Sequence, residues 1–570
     1  VSPSVIRPLD PATITKIAAG EVIERPSSIV KELVENALDA GAGRCECAVR
    51  SRAGAVESIR VTDDGAGMSA EDLRLAVLPH TTSKLRDVED LASVTTMGFR
   101  GEALASIAAI ARLTIVSRKP GELLASRIVV AGGTVEETGE APGPVGTSVT
   151  VEDLFFNTPA RKKFQKSLGT ELAHIVGAVE RIALARPEIA FSLTHNGRTR
   201  LSTPGAGLAD AIASLLGPEI GTGLLQVEAE RSLCRVSGYL AGPTVQRPNP
   251  YQIFVAVNGR TVQSPALSAA VRSGFGTLLP GDRFPVAAIE IEIDTTLVDV
   301  NVHPTKRQVR LSHEPEVLAA VSEAVADALA SLRPTTLPAA SISQAREPVA
   351  APPVYVVAEP VPSYRVRTDR QLRQTTFEEP ASAPGVELLG QVGLTYLVGR
   401  THNGELVLID QHAAHERVLY EQLLGRDRRG TQELLVPAVM ACTPREQAVL
   451  EGARETLREA GFECEEFGEG QVAIRTVPVV LGHELPAETV REVVAELIGG
   501  EAGGPDAREQ IVRLVACHGA IRAGAVLSRE QGERLIAQLY ATRTPLTCPH
   551  GRPTVVAFSP GRLEALFSRR

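Results

Sequence analysis

The 570-residue chain contains no tryptophan, and aromatic residues make up only 4% of it. That scarcity argues against a protein that recognises nucleic acid by stacking bases on a row of aromatic side chains. No apolar run approaches the roughly 18 residues needed to cross a bilayer, so no membrane partner is expected. Positive charge is not in excess either. With a formal net charge of −9, the chain is not expected to coat nucleic acid through bulk charge, and any such binding must come from local patches. The seven cysteines are odd in number and mostly isolated, which excludes a disulfide scaffold and suits a reducing, cytoplasmic setting. The opening VSPSVIRPLD has no basic head followed by an apolar stretch, so no secretory leader is expected. The common phosphate loop, GxxxxGK followed by Ser or Thr, is also missing.

What remains is ordinary globular composition, 44% apolar and 22% charged. At ~100–200 residues per domain the length predicts about three to five compact units. The clearest boundary is the stretch from Pro334 to Gly385, which holds nine prolines among Ala, Ser, Thr and Glu and reads as a disordered linker. The expected domains are therefore 1–215, 216–333, the linker 334–385, and 386–570, the last with an inner lobe at about 434–505. In the first, a helix is expected from Ser27 to Ala40, capped by Ser27 or Ser28 and stopped at Gly41. Strands are expected at Cys45–Arg50, Ser58–Asp63, Leu113–Ser117 and Ser148–Val151. The second has strand patterns at Ile253–Val257 and Ala287–Ile293 and closes on a helix near Pro315–Leu332. After the linker, strands at Tyr396–Gly399 and Leu406–Asp410 lead into a helix from Gln411.

Three separated motifs suggest a nucleotide site. In KELVENALDAG, Glu32, Glu35, Asn36 and Asp39 recur at helical spacing and share a face. A carboxylate beside a carboxamide can take a proton from water and offer a hard oxygen to Mg²⁺. Solvated polar helix faces share that spacing. VTDDGAGM then places Asp63 at a strand end before Gly65 and Gly67. A buried carboxylate there accepts from an exocyclic amine, and the glycines let backbone approach a base. In GFRGEAL, Gly98, Arg100 and Gly101 lead into a helix whose first amides suit phosphate oxygens. HTTSK, which includes Thr82, supplies hydroxyls and a cation, and Gly146 and Thr147 open a strand.

A second set follows the linker. ELVLIDQHAAHERVLYE puts Asp410 at a strand end and His412, Glu416 and Tyr420 on successive turns of a helix. His412 and Glu416 are four residues apart, a spacing that aims two ligands at one ion and is equally common in surface hydrogen bonds. ACHGAIRAG supplies Cys517 and His518. CPHGRP supplies Cys548 and His550, alternating along an extended segment. Thiolate, imidazole and carboxylate together suit Zn²⁺, or Mn²⁺ where oxygen dominates. A lone Cys517 also fits a buried core.

The order and spacing of the first set resemble the ATPase superfamily of gyrase, Hsp90, histidine kinases and MutL. IAAGEVIERPSSIVKELVENALDAGA, GFRGEALASI and DLFFNTPARKKF are closer still, and resemble the bacterial MutL family of DNA mismatch repair proteins over residues 8–165. DQHAAHERVLYE, ACHGAIR, CPHGRP and the terminal FSRR resemble the endonuclease motifs of its nicking members. The resemblance implies an α+β multidomain protein: a Bergerat-type ATPase sandwich of helices and sheet, a ribosomal-protein-like second α/β domain, a flexible linker and a two-lobed α/β C-terminal domain for dimerisation and nicking. It implies ATP and Mg²⁺ as cofactors. Glu32 would be the general base and Asn36 the Mg²⁺ ligand. Asp63 would read adenine, with Gly67, Gly98, Arg100 and Gly101 around the phosphates. DVNVHPTKRQVR makes Lys306 the γ-phosphate sensor. Glu416, Cys548 and His550 would hold one metal, and Asp410, His412 and Cys517 would complete or regulate a neighbouring position, with regulatory Zn²⁺ and catalytic Mn²⁺ or Mg²⁺.

The resemblance further implies a homodimer that takes mismatch specificity from MutS, acts on double-stranded DNA without sequence preference, and sits at the nucleoid. QELLVP resembles peptides that dock on the replication sliding clamp (β-clamp), with Gln432 in a polar pocket, Leu434 and Leu435 in an apolar one, and Pro437 closing the motif. Leu434–Val436 equally suits a core strand. ARKKFQK, with Arg161, Lys162, Lys163 and Lys166, is the densest basic run before the linker and a place for salt-sensitive phosphate contact, or a solvated face. The rival function is an ATPase adaptor whose C-terminus is a structural zinc and dimerisation module without nuclease activity.

Overall fold

The computed structural model describes residues 19–20, 23–79, 81, 101–281, 283–299, 309–330, 385–425, 431–468, 470–478, 491, 494, 507–521 and 524–567. By packing, the chain divides into two units, one of 1–330 with 422–519 and the other of 331–421 with 520–570. The expected linker 334–385 lies almost wholly outside the described residues.

The first unit is built on an eight-stranded sheet of β1 (Arg44–Arg52), β2 (Ala55–Asp63), β3 (Arg112–Arg118), β4 (Ala125–Ala131), β5 (Thr134–Ala141), β6 (Gly146–Glu152), β7 (Ala190–His195) and β8 (Arg198–Pro204). Their order is β5-β4-β3-β6-β2-β1-β7-β8. All neighbours are antiparallel except β1 and β7. The strands expected at Cys45, Ser58, Leu113 and Ser148 all fall inside it. Against the sheet lie α1 (Pro26–Asp39), α2 (Ala103–Ile110) and α3 (Leu168–Ala185). On α1 the residues Ile29, Val30, Leu33, Val34, Ala37 and Leu38 are buried. Each large side chain among them contributes about 1.5–3 kcal/mol by leaving water.

The start of α1 corrects the sequence reading. Arg25 is the N-cap and makes no side-chain cap, while Ser27 and Ser28 lie within the helix. Pro26 begins it, because a fixed φ and a missing N–H cost nothing at the first helical position. The expected stop holds: Ala40 is the C-cap and Gly41 follows at φ 73°, a left-handed conformation that glycine adopts without strain.

A second sheet runs β12-β11-β13-β10-β9, made of β9 (Leu224–Glu230), β10 (Cys234–Ala241), β11 (Ile253–Val257), β12 (Arg260–Val262) and β13 (Ala287–Ile293). The helices α4 (Pro265–Phe275) and α5 (Glu314–Ala330) pack on it. Farther along the chain, α7 (Pro444–Glu459), α8 (Ala507–Gly519) and a three-stranded sheet of β17 (Thr431–Ala441), β18 (Glu463–Glu466) and β19 (Gln471–Pro478) also belong to the first unit. The expected C-terminal domain 386–570 is therefore shared between units, because α7 buries Ala448 in the core of the first.

The second unit holds the antiparallel sheet β14-β15-β16-β20, of β14 (Val386–Val392), β15 (Tyr396–Thr401), β16 (Leu406–Asp410) and β20 (Val555–Phe558). Helices α6 (Gln411–Gly425) and α9 (Arg529–Tyr540) contribute Ala414, Val418, Leu535, Ile536 and Leu539 to the core beside Leu397, Val407 and Ile409. Among the described residues, no helix is long and apolar enough to cross a membrane.

Glu290 on β13 tests the packing of the second sheet. Its carboxylate accepts from the Gly259 N–H at 2.7 Å. Burial pushes its pKa from 4.5 up to about 7, against that one hydrogen bond. Below pH 4.5 the group is neutral in folded and unfolded chains alike. As pH rises through that value toward 7 the unfolded chain ionises first, and the fold loses stability. Glu290→Gln keeps the acceptor, so it should be more stable than the parent by about 2 kcal/mol near pH 8. That difference should vanish near pH 4. Chemical denaturation at the two pH values checks this, and an equal difference at both would contradict it.

Candidate functional site

Two regions gather polar side chains at the ends of strands. In the first unit, Asp63 closes β2 opposite Thr147 on β6. Asp63 Oδ1 accepts from the backbone N–H of Gly65 at 2.9 Å and of Thr147 at 3.3 Å. Burial raises the Asp63 pKa, and those two backbone donors pull it back. The Thr147 hydroxyl lies 2.8 Å from Ser117 Oγ, which also donates to the Gly146 carbonyl at 3.2 Å. Asp63 and Thr147, distant in sequence, are thus joined directly.

The DGAG turn is tied to the end of α1, because the Ala66 N–H donates to the Ala40 carbonyl at 2.9 Å. Glycines are required here for space. A Cβ on Gly65 would stand 2.9 Å from Ala40 Cβ, and one on Gly67 (φ 66°) would strike the Arg118 carbonyl. The turn carries Asp63 to the helix that bears Glu32 and Asn36, both partly buried. Glu35 turns to another side, lining a small cavity with Lys31, Leu38, Ile182, Ala185 and Arg260. Lys31, which sequence reasoning missed, pairs with Glu35 at 2.9 Å and Glu32 at 3.4 Å. Its i, i+4 spacing to Glu35 was the available signal. Gly101 is described, at φ 63° just before α2. Thr82, Gly98, Arg100 and Lys306 lie outside the described residues.

In the second unit, β16 hands directly to α6. Asp410 Oδ1 accepts from the N–H of His412 at 2.9 Å and of Ala413 at 3.0 Å, capping that helix. One turn in, Glu416 is 3% exposed. Its oxygens face His412 Nε2 at 3.1 Å and His550 Nδ1 at 3.5 Å. His412 Nδ1 lies 2.9 Å from the Ile521 carbonyl. A carbonyl only accepts, so Nδ1 carries the proton and Nε2 points its remaining position at the carboxylate. A proton shared between His412 and Glu416 satisfies that arrangement, and so does a metal ion. Glu416, Cys548 and His550 offer ligand atoms all within 4.8 Å of one another. The donor set of carboxylate, thiol and imidazole, two of them buried, fits a Zn²⁺-type ion.

The CPHGRP turn presents these ligands. The Cys548 N–H donates to the Arg552 carbonyl at 2.8 Å and the Gly551 N–H to the Cys548 carbonyl at 2.9 Å, with Gly551 at φ 80°. Two supports escaped the sequence reading. Arg417 Nε donates to the Thr547 carbonyl at 2.6 Å, fastening α6 to this turn. His415 Nδ1 accepts from the Ile521 N–H at 3.0 Å, and burial lowers its pKa to about 4. Cys517 stands half-buried on α8 of the first unit.

The remaining motif residues are spread over the surface. In β17 the ladder to β19 breaks between Glu433 and Ala438, so residues 434–437 bulge. Gln432 is exposed and Pro437 partly so. Leu434 is 7% exposed and Leu435 97%. The two leucines expected to act together therefore face opposite ways. Lys162 and Lys163 are exposed on a short helix, Pro159–Lys163, while Arg161 and Lys166 are partly buried.

Comparison with known proteins finds three family matches along the chain. Residues 24–138 match the histidine kinase-, DNA gyrase B- and HSP90-like ATPase family. Residues 212–330 match the DNA mismatch repair protein C-terminal domain, and residues 389–527 match the MutL C-terminal dimerisation domain. The chain is thus an ATPase joined to a dimerisation module, a class that forms homodimers. Over 99% of both chains it is 48% identical to the DNA mismatch repair protein MutL of Methanoculleus marisnigri. It is 40% identical to that of Methanocorpusculum labreanum over 99% of this chain and all of the other. The chain belongs to the MutL family of DNA mismatch repair proteins.

Gly146 tests the nucleotide cradle. It sits at φ 113°, where a Cβ would strike the Asp63 carbonyl. Gly146→Ala should cost about 2 kcal/mol or more in denaturant unfolding and weaken ATP-analogue binding by calorimetry. Parental values for both would show that the approach of β6 to Asp63 is not needed.

Proposed function

We propose that this protein is an ATP-driven dimeric clamp that couples mismatch recognition by MutS to metal-dependent nicking of DNA. The observation that carries the nicking half is Glu416, a buried carboxylate between two imidazoles and beside the Cys548 thiol. Glu416, Cys548 and His550 would hold a regulatory Zn²⁺. Asp410 and His412 would serve a neighbouring position for Mn²⁺ or Mg²⁺. Bound there, divalent ions supply the charge that activates water and stabilises the leaving oxygen of a phosphodiester. The protein's own part is to orient: the Ile521 carbonyl fixes the His412 tautomer, Asp410 caps the helix, and Arg417 holds the Cys548 turn in place.

At the other centre, Glu32 acts as general base toward water and Asn36 as the Mg²⁺ ligand. Asp63 accepts from the adenine amine while Gly65 and Thr147 hold its carboxylate. By resemblance, Gly67, Gly98, Arg100, Gly101 and Thr82 would serve the phosphates, and Lys306 would sense the terminal one. ATP then biases two arrangements of the clamp only through contacts that differ between them. Lys162 and Lys163, exposed beside Arg161 and Lys166, support weak, salt-sensitive contact with double-stranded DNA at the nucleoid. The bulge at Leu435 supports docking on the sliding clamp, with Gln432 and Pro437 beside it and Leu434 anchoring the bulge from within.

Plasmid nicking tests this. Asn caps a helix as well as Asp, so Asp410→Asn keeps the fold while removing a charge. With Mn²⁺ and supercoiled plasmid, the variant should nick on the order of 100-fold more slowly than the parent. Equal rates would leave an ATPase adaptor with a structural zinc module. Separately, Glu32→Ala should abolish ATP turnover while retaining nucleotide binding, since it removes a base and no binding contact. Turnover at the parental rate would remove Glu32 from that role.

A further inference from the structure

The helix α3 has two occupied sides. On one, Ile182 and Ala185 border the cavity shared with Lys31, Glu35 and Leu38 of α1. On the other it receives α7, from the lobe formed by residues 431–478. Gly169 of α3 and Gly452 of α7 meet backbone to backbone, such that a Cβ on either would fall on the other's Cα. Ala448 joins the core of the ATPase domain, and Val449 packs against it. Around this crossing the contacts are polar. Tyr251 of the second sheet's domain donates its hydroxyl to Glu446 Oε1 at 2.6 Å. The other Glu446 oxygen accepts from the Thr443 N–H at 2.8 Å, closing the capping box of α7. The Arg445 guanidinium lies over the Tyr251 ring at 5.7 Å and near the buried Glu180. At the rim, Arg200, 12% exposed, grips both Glu451 oxygens at 2.8 and 3.0 Å. Glu466 lies 3.6 Å from Arg198 and 3.8 Å from Arg200.

This chemistry resembles that of a separable contact. Arg445 Nε and Glu180 Oε2 are buried without a hydrogen-bond partner. Burying such groups is costly without full pairing. Surfaces that spend part of their time in water keep them at little cost and add a charged rim. We propose that the lobe of residues 431–478 is a built-in docking partner of the ATPase domain. In this reading Gly452 on Gly169 is the seat and Tyr251–Glu446 and Arg200–Glu451 are the clasps, and docking presses α3 against α1, so that the lobe sets the rate of nucleotide turnover. The coupling to turnover rests on α1 being the nucleotide helix; the docking does not. The exposed Leu435 bulge on β17 stays free in the docked arrangement.

The full chain with Gly452→Leu tests it. Leucine favours the helix over glycine, so α7 itself gains, while the seat on Gly169 is blocked. Hydrogen exchange of amides 168–185 without nucleotide should quicken by about tenfold or more, and ATP turnover should change by about threefold or more. A second set avoids the core. Arg200→Glu and Glu451→Arg should each quicken exchange in α3, and the double swap should restore it. Parental exchange in Gly452→Leu and in both reversals would overturn docking. Quickened exchange with parental turnover would overturn the coupling if Glu32→Ala is inactive in the same assay. If Glu32→Ala still turns over, the nucleotide-site reading has failed instead.

Discussion

A carboxylate taken out of water is costly unless it is paired, hydrogen-bonded or protonated, and Glu416 sets that condition for the C-terminal half of this protein. Its oxygens have two imidazoles and a thiol as neighbours and almost no solvent. Protons on the histidines could meet the requirement, but only by leaving three good metal donors pointed at one another. A divalent ion, as proposed, would meet it at once, and Cys548 and His550 are held for it on a stitched turn rather than a loose loop. The fold serves this arrangement: β16 ends at Asp410, Asp410 caps α6, and α6 carries His412 and Glu416 to the turn that precedes β20.

The proposed nucleotide site is governed by a similar constraint at a strand end. Asp63 is partly buried, and its position is fixed by amides from two separate segments. The glycines around it are there because backbone passes within contact distance of backbone. This precision belongs to elements with deep cores, whereas the surfaces expected to meet DNA and the sliding clamp are exposed and sparsely tied. MutL-family function as a mismatch repair ATPase fits that division between rigid centres and presented surfaces.

Much of this was legible in the sequence because it follows short-range rules. Ile253–Val257, Ala287–Ile293 and Leu406–Asp410 are continuous apolar or alternating runs, and the structure keeps those bounds. The clustering of Glu416, Cys548 and His550 was foreshadowed by residue types at telling spacings. What the sequence hid was set by tertiary contact. Ser27 and Ser28 look like caps, but Pro26 starts the helix one residue earlier. Leu434 and Leu435 look equivalent until a bulge turns one inward and one out. Arg417 reaching Thr547, and α7 seating on α3 at two glycines, join residues more than a hundred positions apart, and no local pattern announces them.

The account stands most directly on an ion at Glu416. X-ray absorption at the zinc edge of the purified full chain would read the ligands themselves. The account predicts bound zinc with sulfur and nitrogen or oxygen neighbours, at distances of about 2.3 and 2.0 Å. The sulfur contribution should be lost on Cys548→Ser. Protein free of zinc after loading, or a sulfur shell unchanged in that variant, would contradict it.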